Sequence, residues 1–282
     1  MSFNLRECSV CPLECRVDRL NENGLCGAGI DLAISSWNLH FGEEPPISGN
    51  RGSGTIFFAH CPLQCIFCQN YPISHMGHGN EFSEEEFIRM ILRLQAEGAH
   101  NINFVTPTHY TPHIINVLEK IKGRELNVPV VFNCGGYEKV ETLKKLDGLI
   151  DIYMPDAKFS DSAEAAEICN AEDYWEVNKN ALKEMHRQVG DLEQDSDGIA
   201  QKGLLIRHLV LPGNISGTER VLEFIAGNIS TNTYLSLMSQ YHPAYKTVGD
   251  RLLGKEVDKE LYDRLVDHAL KLGLNNSYIQ GM

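Results

Sequence analysis

From Thr55 onward, short apolar runs alternate with segments whose apolar residues recur every three or four positions. TIFFAH (55–60) has the length and composition of one buried strand. SEEEFIRMILRLQAEG (83–98) has helical spacing, with Phe87, Ile88, Ile91 and Leu92 on one face. Ser83 and Glu86 are spaced for a capping box at its start, and Gly98 closes it. INFV (102–105) predicts a second strand, and Thr111-Pro112 opens a helix that turns Ile114, Ile115, Leu118 and Ile121 inward. VPVVF (128–132), LIDIYM (149–154), LLIRHLVL (204–211) and TYLSLM (233–238) continue as strands. Helical patterns lie between them, around 138–146, 174–187 and 217–227, and a last helix over 258–272 starts at Asp258 and ends at Gly273. Six strands alternating with helices imply parallel βαβ units, in an open sheet or a barrel.

The first 50 residues do not share this rhythm. They hold four cysteines and several turn formers, and end in the Pro/Gly-rich GEEPPISGNRGSG. The expected organisation is a cysteine-rich metal-binding module over 1–50, an α/β unit over 51–250, and a C-terminal helix and tail over 251–282. Within the second unit the stretch 157–200 is acidic, and DLEQDSDG is expected as an exposed loop. CPLEC (11–15) and CPLQC (61–65) echo each other, but five residues are too few to mark a duplication.

Composition narrows the function classes. A chain of 282 residues, 43% hydrophobic and 22% charged, has the balance of an ordinary soluble globular protein. No apolar run reaches the length of a membrane span, and MSFNLRECSV lacks a signal-peptide core, so neither a membrane nor export is expected. A formal charge of −13 argues against nucleic acid as a partner, while leaving room for a small anionic substrate in a locally basic pocket. Nine cysteines in a chain without an export signal are expected as reduced thiols in a cytoplasmic setting. Seven of them fall in two tight clusters in the first quarter of the chain, a distribution that points to metal ligation.

Cys61-x3-Cys65-x2-Cys68 begins where the first strand of the pattern ends, and the carboxyl ends of parallel strands are where ligands bind. Three thiolates hold three irons of a [4Fe–4S] cube and leave the fourth iron for a ligand from outside the protein. A non-enzymatic electron-transfer protein of the ferredoxin kind, the rival class, would close that position with another cysteine. A zinc knuckle is a further alternative, although zinc motifs usually come as paired C-x2-C units. Cys8-x2-Cys11-x3-Cys15-x10-Cys26, by contrast, has enough thiolates for a closed site, either structural zinc or a second [4Fe–4S] cluster. Iron–sulfur is preferred there because the first loop already requires the pathway that loads it.

CPLQCIFC matches the C-x3-C-x-aromatic-C signature, with Phe67 as the aromatic, and on it the chain resembles the radical S-adenosylmethionine (SAM) superfamily. The resemblance extends through most of 50–245. It is nearest to a branch similar to pyruvate formate-lyase activating enzyme, on GEEPPISG, GSGTIFF, NINFVTPTHY, DIYMPD, RHLVLPG and LMSQYHP. It implies a partial (β/α)6 barrel carrying a [4Fe–4S] cluster and SAM. SAM's amino and carboxylate groups would chelate the open iron. The reduced cluster would split SAM into methionine and a 5′-deoxyadenosyl radical that takes hydrogen from a substrate. That substrate would be a glycine of a glycyl radical enzyme, or else a small metabolite or peptide. A flavodoxin- or ferredoxin-type protein would supply the electron.

The resemblance also assigns positions. Cys61, Cys65 and Cys68 are the catalytic cluster ligands. Thr106, in VTPTHY, stands where relatives place a Gly-Gly-Glu-type motif for the SAM amino group, and a capped turn before Pro112 explains it equally well. Asn133, in FNCGGY, is the candidate for a ribose hydroxyl or the methionyl carboxylate, with Cys134 a small wall residue. Asp156 and Lys158, in MPDAK, are same-face neighbours: the lysine would pair with the SAM carboxylate and the aspartate would orient it or help bind a cation, with a structural ion pair as the plainer alternative. Arg207 offers a fork of donors, while His208 faces the other way as an outer packing residue. His242 occupies the place of a histidine near the adenosine, with Gln240 and Tyr241 facing substrate. His75, His78, His109 and His113 are expected as a solvated rim, and Tyr71 and Tyr110 as pocket residues by position.

Overall fold

The structure is a computed structural model and describes residues 3–279. Its strands are β1 (Leu32–His40), β2 (Ser53–Phe58), β3 (Asn80–Phe82), β4 (Ile102–Val105) and β5 (Val130–Cys134). They continue as β6 (Ile152–Pro155), β7 (Glu193–Gln194), β8 (Ala200–Leu209), β9 (Tyr234–Met238) and β10 (Ser277–Ile279). The helices are α1 (Pro45–Ser48), α2 (Tyr71–Ser74), α3 (Glu84–Ala96), α4 (Thr111–Ile121) and α5 (Val140–Leu143). After them come α6 (Ser162–Cys169), α7 (Tyr174–Val189), α8 (Thr218–Asn228) and α9 (Lys259–Lys271).

One sheet orders these strands β10-β9-β8-β6-β5-β4-β2-β1-β3, with β7 paired to β8. The run from β2 through β4, β5, β6, β8 and β9 to β10 is parallel, and β1 and β3 close the other end antiparallel. Among the described residues the two end strands do not meet, so this α/β fold is a partial barrel rather than a closed one, as expected. The six expected parallel strands are all present.

Local chemistry explains the elements the pattern found. Ser83 accepts from the Glu86 amide and Glu86 reaches back to the Ser83 amide, so the capping box fixes the start of α3. Phe87 of α3 then meets Phe58 of β2 and Phe104 of β4, with ring centroids 5.9 and 5.7 Å away, which seats the helix on the sheet. α4 starts at Thr111 with Pro112 in its first turn and buries Ile114, Ile115, Leu118 and Ile121, as its spacing predicts.

Other elements had no such signature. β1 reads LAISSWNLH, with only two of its nine residues buried, so its apolar alternation fades halfway. Pairing with β2 makes it a strand, through contacts such as Trp37 opposite Ile56. β10 is three residues long and acquires its identity from β9. α6, SAEAAEIC, has a weak apolar stripe; Asp161 caps its start and left-handed Asn170 ends it. The sheet therefore continues on both sides of the boundaries expected at 50 and 250: β1 lies before the first and β10 beyond the second.

Candidate active site at the carboxyl edge of the sheet

β2 delivers the chain to Ala59 and His60, and the cysteine loop starts at the next residue. His60 turns the chain with φ +70°, and at the end of the neighbouring β4 Thr106 does the same with φ +59°. Left-handed backbone is costly for a β-branched residue such as Thr106, and such strain collects at sites that need a sharp redirection. The loop is then pinned from two directions. The Cys61 amide donates to the Cys26 carbonyl at 3.4 Å, while the Gln64 and Ile66 amides donate to Cys169 and Ile168 at the end of α6, at 3.0 and 2.9 Å.

The sulfurs face a demanding environment. Burial pushes the Cys61 thiol well up from its ordinary pKa and raises the Cys68 thiol as well. Cys61 has the Leu63 amide as a donor at 3.4 Å, and Cys68 has the Ser74 hydroxyl at 3.1 Å. The Cys169 thiol, 2.8 Å from Cys65 Sγ, pulls Cys65 the other way and lowers it. Buried thiols with so few donors hold their protons unless a metal displaces them, and iron does so outright. The three residues therefore fit a [4Fe–4S] cluster.

Cys65 and Cys68 form one wall of a cavity of about 240 Å³. Phe67, Leu209, Leu211 and Met238 supply apolar walls, Gln69, Asn70 and Gln240 the polar edge, and Asp156, Lys158 and Arg207 the charged wall. Phe67 is held by the edges of Phe159 and Tyr241, with centroids at 6.4 and 6.1 Å.

Sheet register creates the charged wall. An isolated bridge beyond β6 and β8 sets Asp156 beside Arg207. Arg207 Nε donates to Asp156 Oδ1 at 3.0 Å and a second nitrogen donates to Asn133 Oδ1 at 2.8 Å. Lys158 Nζ, on the same face two residues on, donates to the other Asp156 oxygen at 2.5 Å. Burial opposes the charge on Asp156, but Lys158 and Arg207 outweigh it and hold its pKa below the carboxylate range. Burial likewise opposes Lys158 and Arg207, and Asp156 foremost raises both. Glu43 stands 3.5 Å from Arg207, its pKa raised by burial. The wall thus sets Lys158 and Arg207 around the ionised Asp156, with Glu43 on the far side of Arg207, and holds both cations at the edge of the cavity.

The structure brings Cys61, Cys65, Cys68, Phe67, Asn133, Asp156, Lys158 and Arg207 to one edge of the sheet. Thr106 is linked to the group through its amide, which donates to the Asn133 carbonyl at 2.9 Å. His242 is exposed and stands behind Gln69, whose amide nitrogen is 3.3 Å from its Nδ1. Several neighbours depart from the expectation. His109 is buried rather than solvated: one ring nitrogen meets the Ala59 carbonyl at 2.8 Å, and burial lowers its pKa to about 3. Tyr110 packs on Phe58 below the N-terminal module and does not line the cavity. Tyr241 is buried and donates to the Leu253 carbonyl at 2.6 Å, which removes it from substrate. His208 packs outward as expected, against Thr218 of α8 at 2.9 Å.

Sequence reasoning gave no role to Glu43, Cys169 or Tyr174. Tyr174 ties the ends of β5 and β6 together: its hydroxyl accepts from the Lys158 amide and donates to the Gly135 carbonyl, each at 2.9 Å. Only the GEEPP pattern hinted at Glu43. Nothing local marks the other two, because their partners lie in distant parts of the chain.

The N-terminal thiols gather separately. A Cβ on Gly24 would lie 3.4 Å from Cys26 Sγ and 3.5 Å from Cys15 Sγ, so a glycine leaves room for both sulfurs. Burial raises the Cys11 and Cys26 thiols, and neighbouring cysteines, Cys8 among them, add to it. Among the described residues, no group of three His, Cys, Asp or Glu side chains is disposed to hold a single metal ion. The module is fastened to the barrel by the Thr142 hydroxyl on the Val10 carbonyl at 2.6 Å and by Arg19. Arg19 is buried, donates to the carbonyls of Gly29 and His109 at 2.8 Å each, and has no carboxylate partner among the described residues.

A three-cysteine loop thus sits at the carboxyl edge of a parallel sheet, across a cavity from Asp156, Lys158 and Arg207. The family model described as the radical SAM superfamily matches residues 55–193. The chain is 30% identical over 269 residues to an uncharacterized protein of Methanocaldococcus jannaschii, MJ0674, covering 91% of this chain and 73% of that one. The match over residues 55–193 shows that the chain carries a radical SAM domain, and that superfamily implies a [4Fe–4S] cluster and SAM.

Solved structures agree on the fold. Methylornithine synthase (PylB) superposes with a TM-score of 0.50 at 18% identity, covering 78% of this chain and 60% of that one. The FeFe-hydrogenase maturase HydG from Carboxydothermus hydrogenoformans gives 0.52 at 14% identity, covering 78% and 50%. The chain thus spans half to three-fifths of the length of these two structures.

Proposed function

We propose that this protein uses the Cys61–Cys65–Cys68 cluster to cleave SAM reductively for hydrogen abstraction, and that its target is a glycine of a glycyl radical enzyme. When bound and reduced, the cluster supplies the electron that splits SAM into methionine and a 5′-deoxyadenosyl radical. The observation that carries the reading is the single cavity with thiols on one wall and the Asp156–Lys158–Arg207 network on another.

Lys158 and Arg207 bind the methionyl carboxylate, and Asp156 keeps both side chains aimed into the cavity. Phe67, Leu209, Leu211 and Met238 exclude water from the reacting end. Asn133 fixes the third side of the Arg207 fork. Gln69 and Asn70 are exposed and line the cavity, so its mouth lies at the surface, where a segment of a partner protein can enter. The N-terminal cysteines hold a second [4Fe–4S] cluster, with zinc as the alternative. A flavodoxin- or ferredoxin-type donor supplies the electron.

Anaerobically reconstituted, reduced protein is expected to form 5′-deoxyadenosine from SAM. Cluster-loaded protein that forms none overturns the radical reading in favour of an electron carrier. Adding candidate glycyl radical enzymes should generate a glycyl radical by electron paramagnetic resonance. Its absence with every candidate, while 5′-deoxyadenosine still forms, turns the assignment to a metabolite or peptide substrate.

A further inference from the structure

Cys169 lies 104 residues from Cys65 in the chain, yet the two sulfurs are 2.8 Å apart. Cys169 is fully buried at the last position of α6, and Asn170 ends the helix in the left-handed conformation. The same end of α6 carries the loop: the Cys169 carbonyl accepts from Gln64 and the Ile168 carbonyl from Ile66, on either side of Cys65. Main-chain bonds on both flanks thus fix Cys65 against α6, and the thiol contact lies between them.

Cysteines bound to different irons of one cube point away from each other, because each sulfur lies outside its own corner. A sulfur in contact with Cys65 Sγ is therefore badly placed to take a second corner. It is well placed to donate its proton to the ligand sulfur. Hydrogen bonds to cluster sulfurs withdraw electron density from the iron and stabilise the reduced state.

We infer that Cys169 is a positioning residue that donates an S–H···S hydrogen bond to Cys65 and so raises the reduction potential of the cluster held by Cys61, Cys65 and Cys68. The inference rests on the radical SAM reading of that loop. It concerns no new ligand of the metal, and no atom is transferred. The effect is on how readily the cluster accepts the electron that SAM cleavage consumes.

The test compares full-length, reconstituted wild type with Cys169→Ala and Cys169→Ser in a redox titration. The signal followed is the reduced-cluster resonance that changes on adding SAM. Cys169→Ala, which has no donor, is expected to shift the midpoint potential downward. Cys169→Ser, which keeps a donor, should stay nearer wild type. An unchanged potential in Cys169→Ala with the SAM-responsive signal intact overturns the inference alone. Should Cys169→Ala fail to load, the serine variant decides: a potential close to the wild type's supports the inference, and a large downward shift despite the retained donor overturns it. If SAM alters the signal only after Cys169 is removed, then Cys169 is a fourth ligand and the inference is wrong. If wild type has no signal that depends on Cys61, Cys65 and Cys68, the underlying reading of the loop fails instead.

Discussion

The loop at Cys61–Cys68 and the module at Cys8–Cys26 use similar words in opposite settings. The first follows a parallel strand, borders a cavity, and faces two cations. The second has four thiols, a glycine where two sulfurs meet, and a buried arginine that ties it to the barrel. Three ligands beside an open space suit chemistry, while four ligands in a packed module suit a closed centre. The two are not independent, since the Cys61 amide rests on the Cys26 carbonyl. Site type is thus set by surroundings as much as by cysteine count.

The sharpest way to break this contrast is to replace Cys61, Cys65 and Cys68 together with alanine. SAM cleavage should fall below detection while any absorbance from the N-terminal centre persists. Retained cleavage would show that the two sets have been assigned the wrong way round. Replacing Cys8, Cys11, Cys15 and Cys26 should remove the metal proposed for the N-terminal module and lower thermal stability. Metal analysis of the wild type then decides its identity, with eight irons per chain expected and four irons plus one zinc favouring zinc (an expectation from the two cluster types).

Asp156→Ala leaves the half-buried Lys158 and Arg207 without their shared partner, and should cost about 1–3 kcal/mol in denaturant unfolding. A cost near zero would mean that the wall is solvated and that the proposed carboxylate site is not preorganised. Arg19→Met is expected to cost about 1–3 kcal/mol, because the carbonyls of Gly29 and His109 lose their donor. It should loosen the module while sparing the metal content of the loop at Cys61.

The smallest effect concerns pH. His109 is buried and its folded pKa is depressed from about 6.5 to about 3. The unfolded chain binds the proton more readily, so this stabilisation is full above about 6.5 and is lost as pH falls toward about 3. His109→Gln should flatten that part of the stability profile. An identical pH dependence in the two proteins would place the ring in solvent after all.

Much of the barrel was legible because its physics is local. Alternating apolar runs, the Ser83–Glu86 capping box and the Thr111-Pro112 start are written in adjacent residues and recur in the structure. The cysteine loop was legible for a similar reason, since its ligands fall within eight positions. β1 and β10 were not, because neither has a pattern of its own and each depends on a neighbour supplied by the sheet. His109 was misread as part of a solvated rim and Tyr110 as a pocket residue because proximity to a strand end does not reveal what packs over it. Here the N-terminal module does, through Arg19.

By itself, the sequence determined the order of the six parallel strands and the main helices between them, the two thiol sets, and the spacing that leaves one set a ligand short. Those properties follow from contacts between near neighbours and from covalent spacing. Only the tertiary structure decided that Asp156, Arg207 and Asn133 meet, that Glu43 joins them, and that Cys169 touches Cys65. Each of these depends on strand register or helix docking between segments far apart in the chain. Register and docking are fixed by the packing of the whole core, which no single stretch of sequence encodes.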